Sequence, residues 1–169
     1  MAERLTKSDV AKIEAEIEKR KLEIRPQLIA EVKEARAQGD LSENFEYYAA
    51  KKAKNQNESR IRYLENMLKF ATIVEDDSKS GEVGMNNTVT LYFPEDDMEE
   101  TYKIVTSIRS NSLKGKISIE SPLGKALLGH KVGDTVTIEV DDSYSYDVEI
   151  RAIDESTDDA EDEIKSFWK

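Results

Sequence analysis

Two long apolar stripes at helical spacing, split by a single Gly, restrict the first 75 residues to a helical hairpin. The first stripe runs Val10, Ile13, Ile17, Ile24, Leu28, Val32 and Ala35. Thr6 followed by Asp9 resembles a capping signature that starts this helix. Pro26 sits inside the stripe, removes one backbone donor and is expected to kink the helix without ending it. The pattern stops at Gln38-Gly39-Asp40. It resumes at Tyr47, Ala50, Lys54, Asn57, Ile61, Leu64, Leu68 and Ala71, steps that alternate between three and four as in a coiled-coil seam. Lys54 and Asn57 place a polar layer mid-seam, which costs stability and pins register. Each helix is about 30 residues, or roughly 45 Å at 1.5 Å per residue. The connection is short, so the helices run antiparallel. A narrow rod of this kind suits a probe that reaches into something.

The second half obeys a different rule. Residues 1–75 carry 15 Lys+Arg and 14 Asp+Glu, whereas residues 76–169 carry 10 and 22. Six of the seven Gly fall in the later part, among β-branched and aromatic runs. This places a hairpin over 1–75, a linker over 76–84, a second domain over 85–153 and an acidic tail over 154–169. The run from Asp154 to Glu163 reads as solvated, and Phe167 and Trp168 as a fraying end. A net charge of -11 argues against a whole-surface nucleic-acid binder. The lack of Cys excludes disulfides, cysteine nucleophiles and thiolate metal sites, and a single His excludes a multi-His centre. No apolar run approaches ~20 residues, so the expectation is a cytoplasmic protein with no membrane association.

Strands are expected at Thr88–Phe93, Glu100–Val105, Lys116–Ser118, Thr135–Val140 and Tyr146–Ile153. Between them, Ser121-Pro122-Leu123-Gly124-Lys125-Ala126-Leu127-Leu128-Gly129 has Ser at N-cap, Pro at N1 and a Gly stop, the marks of a short helix. The fold class is α+β, with antiparallel strands and one helix after the hairpin. His130 falls in a polar turn and reads as solvated, and Tyr144 and Tyr146 share one strand face and should pack.

Chemistry is best sought at the hairpin turn, Gly39-Asp40-Leu41-Ser42-Glu43-Asn44-Phe45-Glu46-Tyr47. Asp40 and Glu43 are three apart and can face one way on a helix. The bland reading is a capping box, with Asp40 as N-cap, and spacing alone favours it. The functional reading is that two carboxylates supply part of an octahedral Mg²⁺ shell. They cannot close a site alone, so another molecule would supply the remainder, as two-metal phosphoryl chemistry requires.

Gly39-Asp40-Leu41-Ser42-Glu43-Asn44, continued by Glu46-Tyr47 and Ala49-Ala50-Lys51, resembles the tip signature of the Gre family of bacterial transcript cleavage and transcription elongation factors. Arg60-Ile61 with Leu64-Glu65 continues the likeness, and Arg25-Pro26 matches the family's helix proline. The run from Glu120 to Asp134 is similar to its second signature, so two motifs agree in order and spacing.

The resemblance implies an FKBP-like second domain and an accessory factor, itself no enzyme, for bacterial RNA polymerase. The coiled coil would enter the polymerase's secondary channel. Asp40 and Glu43 would then help hold a Mg²⁺ shared with the polymerase, and not bound by the isolated protein, for hydrolysis of backtracked RNA. Lys51, Lys52, Arg60 and Arg62 would contact the RNA 3′ end or polymerase, and Ser121 and Pro122 would contact polymerase. The factor is expected to be a monomer. A solvated charged face is the plain alternative for the basic residues. The competing functions are a channel regulator that does not promote cleavage, a prolyl isomerase and an inert scaffold. Phe45 and the acidic tail depart from the family pattern.

Overall fold

A computed structural model of the chain describes residues 2–39 and 43–166. The chain forms two compact units, one of residues Lys7–Thr72 and one of residues Glu3–Thr6 with Ile73 onward. No helix among the described residues is long and apolar enough to cross a membrane.

The first unit is the expected pair of helices. One arm is α1 (Lys7–Lys19), a π-helical turn (Arg20–Ile24) and α2 (Arg25–Arg36); the other is α3 (Phe45–Phe70). The π turn is the response to Pro26. Proline has no N–H to give the carbonyl four residues back, and its ring crowds that carbonyl. The helix widens just before it, and the Arg25 N–H bonds the Arg20 carbonyl five residues back. Ile13, Ala35, Tyr47, Ile61, Leu64 and Met67 are buried along the seam.

A polar layer does interrupt that seam, with partly different members. Asn57 and Arg60 are buried at 3% and 2% exposure, while Lys54 is half-buried. Arg60 forks onto Glu16 at 2.8 and 3.2 Å. Arg20 reaches the same carboxylate at 2.7 Å and the Asn57 amide oxygen at 2.9 Å. Burial pushes the Glu16 carboxyl up, but the two guanidiniums outweigh it and hold it below its ordinary range.

The second unit is a five-stranded mixed sheet in the order β5-β4-β3-β7-β6. Its strands are β3 (Thr88–Phe93), β4 (Met98–Val105), β5 (Lys116–Ser118), β6 (Thr135–Asp141) and β7 (Tyr144–Asp154). The expectation of a wholly antiparallel sheet needs correction. β5 pairs parallel to β4, because two 3₁₀ turns, Ser107–Arg109 and Ser112–Lys114, carry the chain round before it returns. Two short strands were not expected, β1 (Arg4–Leu5) and β2 (Thr72–Ile73); Leu5 then accepts from the Val74 N–H at 2.8 Å. One sheet face is apolar through Val89, Leu91, Ile104, Ile138, Val148 and Ile150, all buried. The helix α4 (Pro122–Leu127) adds Leu127 to this core. Val83, inside the segment expected to be a linker, is fully buried there as well. Phe93, Tyr102 and Tyr146 flank the core, with Phe93 stacked on Tyr146 at 6.2 Å and Tyr144 at 6.0 Å from Tyr146.

The acidic tail is solvated over most of its length, as expected, with one exception. Asp162 is 6% exposed and its carboxylate receives Arg109, Lys116 and Lys103. Sequence pattern alone counts like charges and misses a cationic pocket assembled from β4, a 3₁₀ turn and β5. Phe167 and Trp168 lie outside the described residues. Burial raises the Asp162 carboxyl, but hydrogen bonds from Lys116, Lys103 and Arg109 prevail and bring it down to about 2. A folded value below the ordinary 3.8 means stability that is fully present above pH ~4 and lost as pH falls towards 2. Carbon NMR titration of the Asp162 carboxyl should report a value near 2; an ordinary value would show that the carboxylate is not paired in solution.

Candidate functional site

At the hairpin turn, α2 ends and α3 begins on one side chain. Asn44 is the N-cap of α3, and its amide oxygen accepts from the Tyr47 N–H at 3.0 Å. The same amide donates to the Ala35 carbonyl at 2.7 Å. One residue thus satisfies an orphan donor of α3 and gives a second donor to the Ala35 carbonyl of α2, which the Gln38 N–H reaches at 3.3 Å, and so fixes the spacing of the helix ends. Gly39 has φ +119°, a left-handed backbone that suits glycine, and no atom crowds its missing Cβ.

The expected cap was Asp40. Asp40, with Leu41 and Ser42, lies outside the described residues. The helix it was expected to cap begins at Phe45 with Asn44 in that position. Glu43 precedes the cap and is exposed, and Glu46 is exposed in the first turn, where its charge complements the helix dipole. Phe45 is 85% exposed, a large apolar surface presented beside the carboxylates. Tyr47 is buried, with the Arg36 guanidinium 5.6 Å and the Lys51 ammonium 6.0 Å from its ring centre. Arg36 at the phenol oxygen, aided by the Lys51 charge, holds that hydroxyl below its ordinary range.

The basic residues of α3 separate into two groups. Lys51, Lys52 and Arg62 are exposed, as a contact with phosphate demands. Arg60 does not belong with them: its side chain is 3% exposed and committed to Glu16 within the seam. It stands three residues beyond Asn57 on the inward face. Sequence reading counted its charge and overlooked its place in the stripe.

On the second unit, Ser121 is the N-cap of α4, accepting from the Gly124 N–H at 3.0 Å, and the exposed Pro122 opens the helix. Gly124 is buried, and a Cβ there would lie 2.0 Å from the Ser118 carbonyl oxygen. The Ser-Pro corner therefore rests directly on the end of β5. His130 sits in the expected turn, half-buried, with Nδ1 3.1 Å from Asp134.

Carboxylate oxygens are hard donors suited to Mg²⁺. Among the described residues no group of three or more His, Cys, Asp or Glu gathers as a metal site. Glu43 can offer part of a shell, and further ligands would have to come from elsewhere.

The two units coincide with two family models. Residues 3–73 match the model described as transcription elongation factor, N-terminal, and residues 78–155 match transcription elongation factor, GreA/GreB, C-term. The chain belongs to the GreA/GreB family of transcription elongation factors. Within that family it is similar to proteins named transcription elongation factor GreA. It is 46% identical over 137 residues to that of Limosilactobacillus fermentum, covering 80% of this chain and 87% of the relative. It is 42% identical over 153 residues to that of Streptococcus pneumoniae, covering 90% and 95%. Among solved structures, GreA factor homolog 1 (Gfh1) of Thermus thermophilus is 31% identical, with 90% and 99% of the two chains covered and a TM-score of 0.42.

Two substitutions test the local geometry. Asn44→Ala should destabilise the helical unit by about 1–2 kcal/mol in thermal unfolding, since it removes a cap and leaves the Ala35 carbonyl without that donor. Gly124→Ala should cost about 3 kcal/mol, because the obstacle is main chain and cannot swing aside.

Proposed function

We propose that this transcription elongation factor binds bacterial RNA polymerase through its secondary channel and stimulates the polymerase's own cleavage of backtracked RNA. The observation that carries the reading is the cap. Asn44 does the structural work at the start of α3, which leaves Glu43 exposed just ahead of it. A carboxylate needed only for capping would not be placed so. Family membership and the tip sequence Asp40-Leu41-Ser42-Glu43 support the same reading.

In this reading the chain is an accessory factor and not a stand-alone nuclease. Asp40 and Glu43 would hold, through their carboxylate oxygens, a Mg²⁺ shared with polymerase, and would orient the attacking water. When bound, the ion supplies activation of water and charge stabilisation at the phosphodiester. Lys51, Lys52 and Arg62 lie on the exposed surface of α3, where they attract the phosphates of the displaced RNA 3′ end in a salt-dependent manner. Phe45 offers an apolar contact for the channel wall. Ser121 and Pro122 present a rigid corner for polymerase, held by the Ser118–Gly124 approach. The factor works as a monomer in the cytoplasm.

A regulator that occupies the channel without promoting cleavage is the second reading, and the same experiment separates the two. Stalled elongation complexes are mixed with the wild-type chain or with the double variant Asp40→Asn, Glu43→Gln. Release of short 3′ RNA should fall by about 100-fold in the variant, with binding to polymerase retained. Equal cleavage by both proteins would refute the ligand assignment. Binding with no cleavage by either would establish the second reading.

A further inference from the structure

The segment beyond the family match holds a charged contact that the elongation-factor role does not use. The GreA/GreB match ends at residue 155. Past it, the buried Asp162 carboxylate meets Arg109 at 2.7 Å, Lys116 at 2.8 Å and Lys103 at 3.0 Å. Arg109 is also buried and its guanidinium is braced by the Asn86 amide oxygen at 2.8 Å. Asn86 itself has a left-handed backbone, φ 69°. A second, separate tie joins the tail to the same region: the Lys165 N–H donates to the Ile108 carbonyl at 2.7 Å. Together these lay the tail along one wall of a cleft of about 830 Å³, whose lining also includes Ser118 and Ser121.

Two features define what such a contact can do. One carboxylate faces three cations, within a chain whose net charge is -11. Cations gathered beside a buried guanidinium are strongly unfavourable without an anion, so this pocket requires a carboxylate from some source. The tail, in contrast, brings almost nothing apolar. Between residues 156 and 166 only Asp162 is buried. Its attachment is polar: besides the ion pairs, Thr157 accepts from the Thr88 hydroxyl at 3.1 Å and donates to the Asn86 carbonyl, and the Asp158 carbonyl accepts from Lys103. An anionic segment that binds the same pocket can exchange with the Asp162 contact by mass action.

We propose that Lys103, Arg109 and Lys116 form a carboxylate socket kept closed in cis by Asp162, and that a carboxylate-rich segment of a protein partner displaces the tail to dock in the cleft beside Ser121. The tail is then a built-in competitor that sets a threshold for docking on this face. The socket stands on the contacts alone. Its bearing on polymerase rests on the proposed role of Ser121 and Pro122, and the readouts below contain no polymerase, so the two can fail separately.

The test uses the full-length chain and a fluorescein-labelled peptide of residues 156–166. Asp162→Asn should bind the peptide at least tenfold more tightly than wild type, whose socket is filled. A peptide carrying Asn in place of Asp162 should lose that gain, as should adding Lys103→Gln and Lys116→Gln to the protein. Equal binding by wild type and Asp162→Asn, or no binding by either, would overturn the proposal. A second measurement needs no variant. Amide exchange of Lys165 in the wild-type chain should accelerate at least tenfold when a ten-residue polyglutamate is added. Unchanged exchange would contradict an exchangeable latch. Acceleration by an RNA oligomer of equal charge but not by polyglutamate would contradict a protein segment as the occupant.

Discussion

The helical unit depends on one buried arrangement of charge. Glu16, Arg20, Asn57 and Arg60 meet within the seam, and the hydrogen bonds that cross it, Arg60 to Glu16 and Arg20 to Asn57, demand a single register of the two arms. Leu or Ile seams tolerate a slip of one turn; an Arg60 fork on Glu16 does not, because a slip would strand a buried guanidinium. The register set here is inherited by the turn. Ala35 and Asn44 must lie within hydrogen-bond reach for one amide to serve both helix ends, and that follows only if the arms are in step. The π turn before Pro26 belongs to the same accommodation. It turns the arm to suit the proline and presents the Arg20 carbonyl to the Asn57 amide at 3.4 Å.

The second unit uses electrostatics in another way. Its apolar core comes from alternate residues of β3, β4, β6 and β7, with Leu127 of α4 and Val83 closing it. At the β4–β5 edge the chain gathers cations that β pairing alone cannot satisfy, and the tail supplies the anion. A strongly acidic chain can therefore contain a locally cationic pocket. Overall charge determines long-range attraction, while a pocket a few ångströms across is governed by its own groups.

Much of this was legible in the residues. The stripes of the hairpin, the strand at Thr88–Phe93, and the Ser-Pro start and Gly stop of α4 are local patterns, and they appear where spacing put them. What escaped is what tertiary partners decide. Asn44 is an ordinary capping residue, but Asp40 matched the same rule and its spacing to Glu43 made it the more attractive choice. Arg60 carries the same charge as Lys51, and only its inward position shows that it braces the seam. The parallel pairing of β5 follows from two 3₁₀ turns that have no periodic signal. Asp162 looks like its acidic neighbours until Lys103, Arg109 and Lys116 are brought to it from residues 46 to 59 positions earlier in the chain.

We propose that the hairpin carries carboxylates that another protein's active centre lacks. The most direct measurement is a structure of this factor bound to a backtracked polymerase complex with Mg²⁺ present. The account predicts Asp40 and Glu43 oxygens within about 2.1 Å of an ion that polymerase carboxylates also hold. Carboxylates turned back onto the hairpin's own main-chain amides, with the ion fully coordinated by polymerase and water, would contradict it.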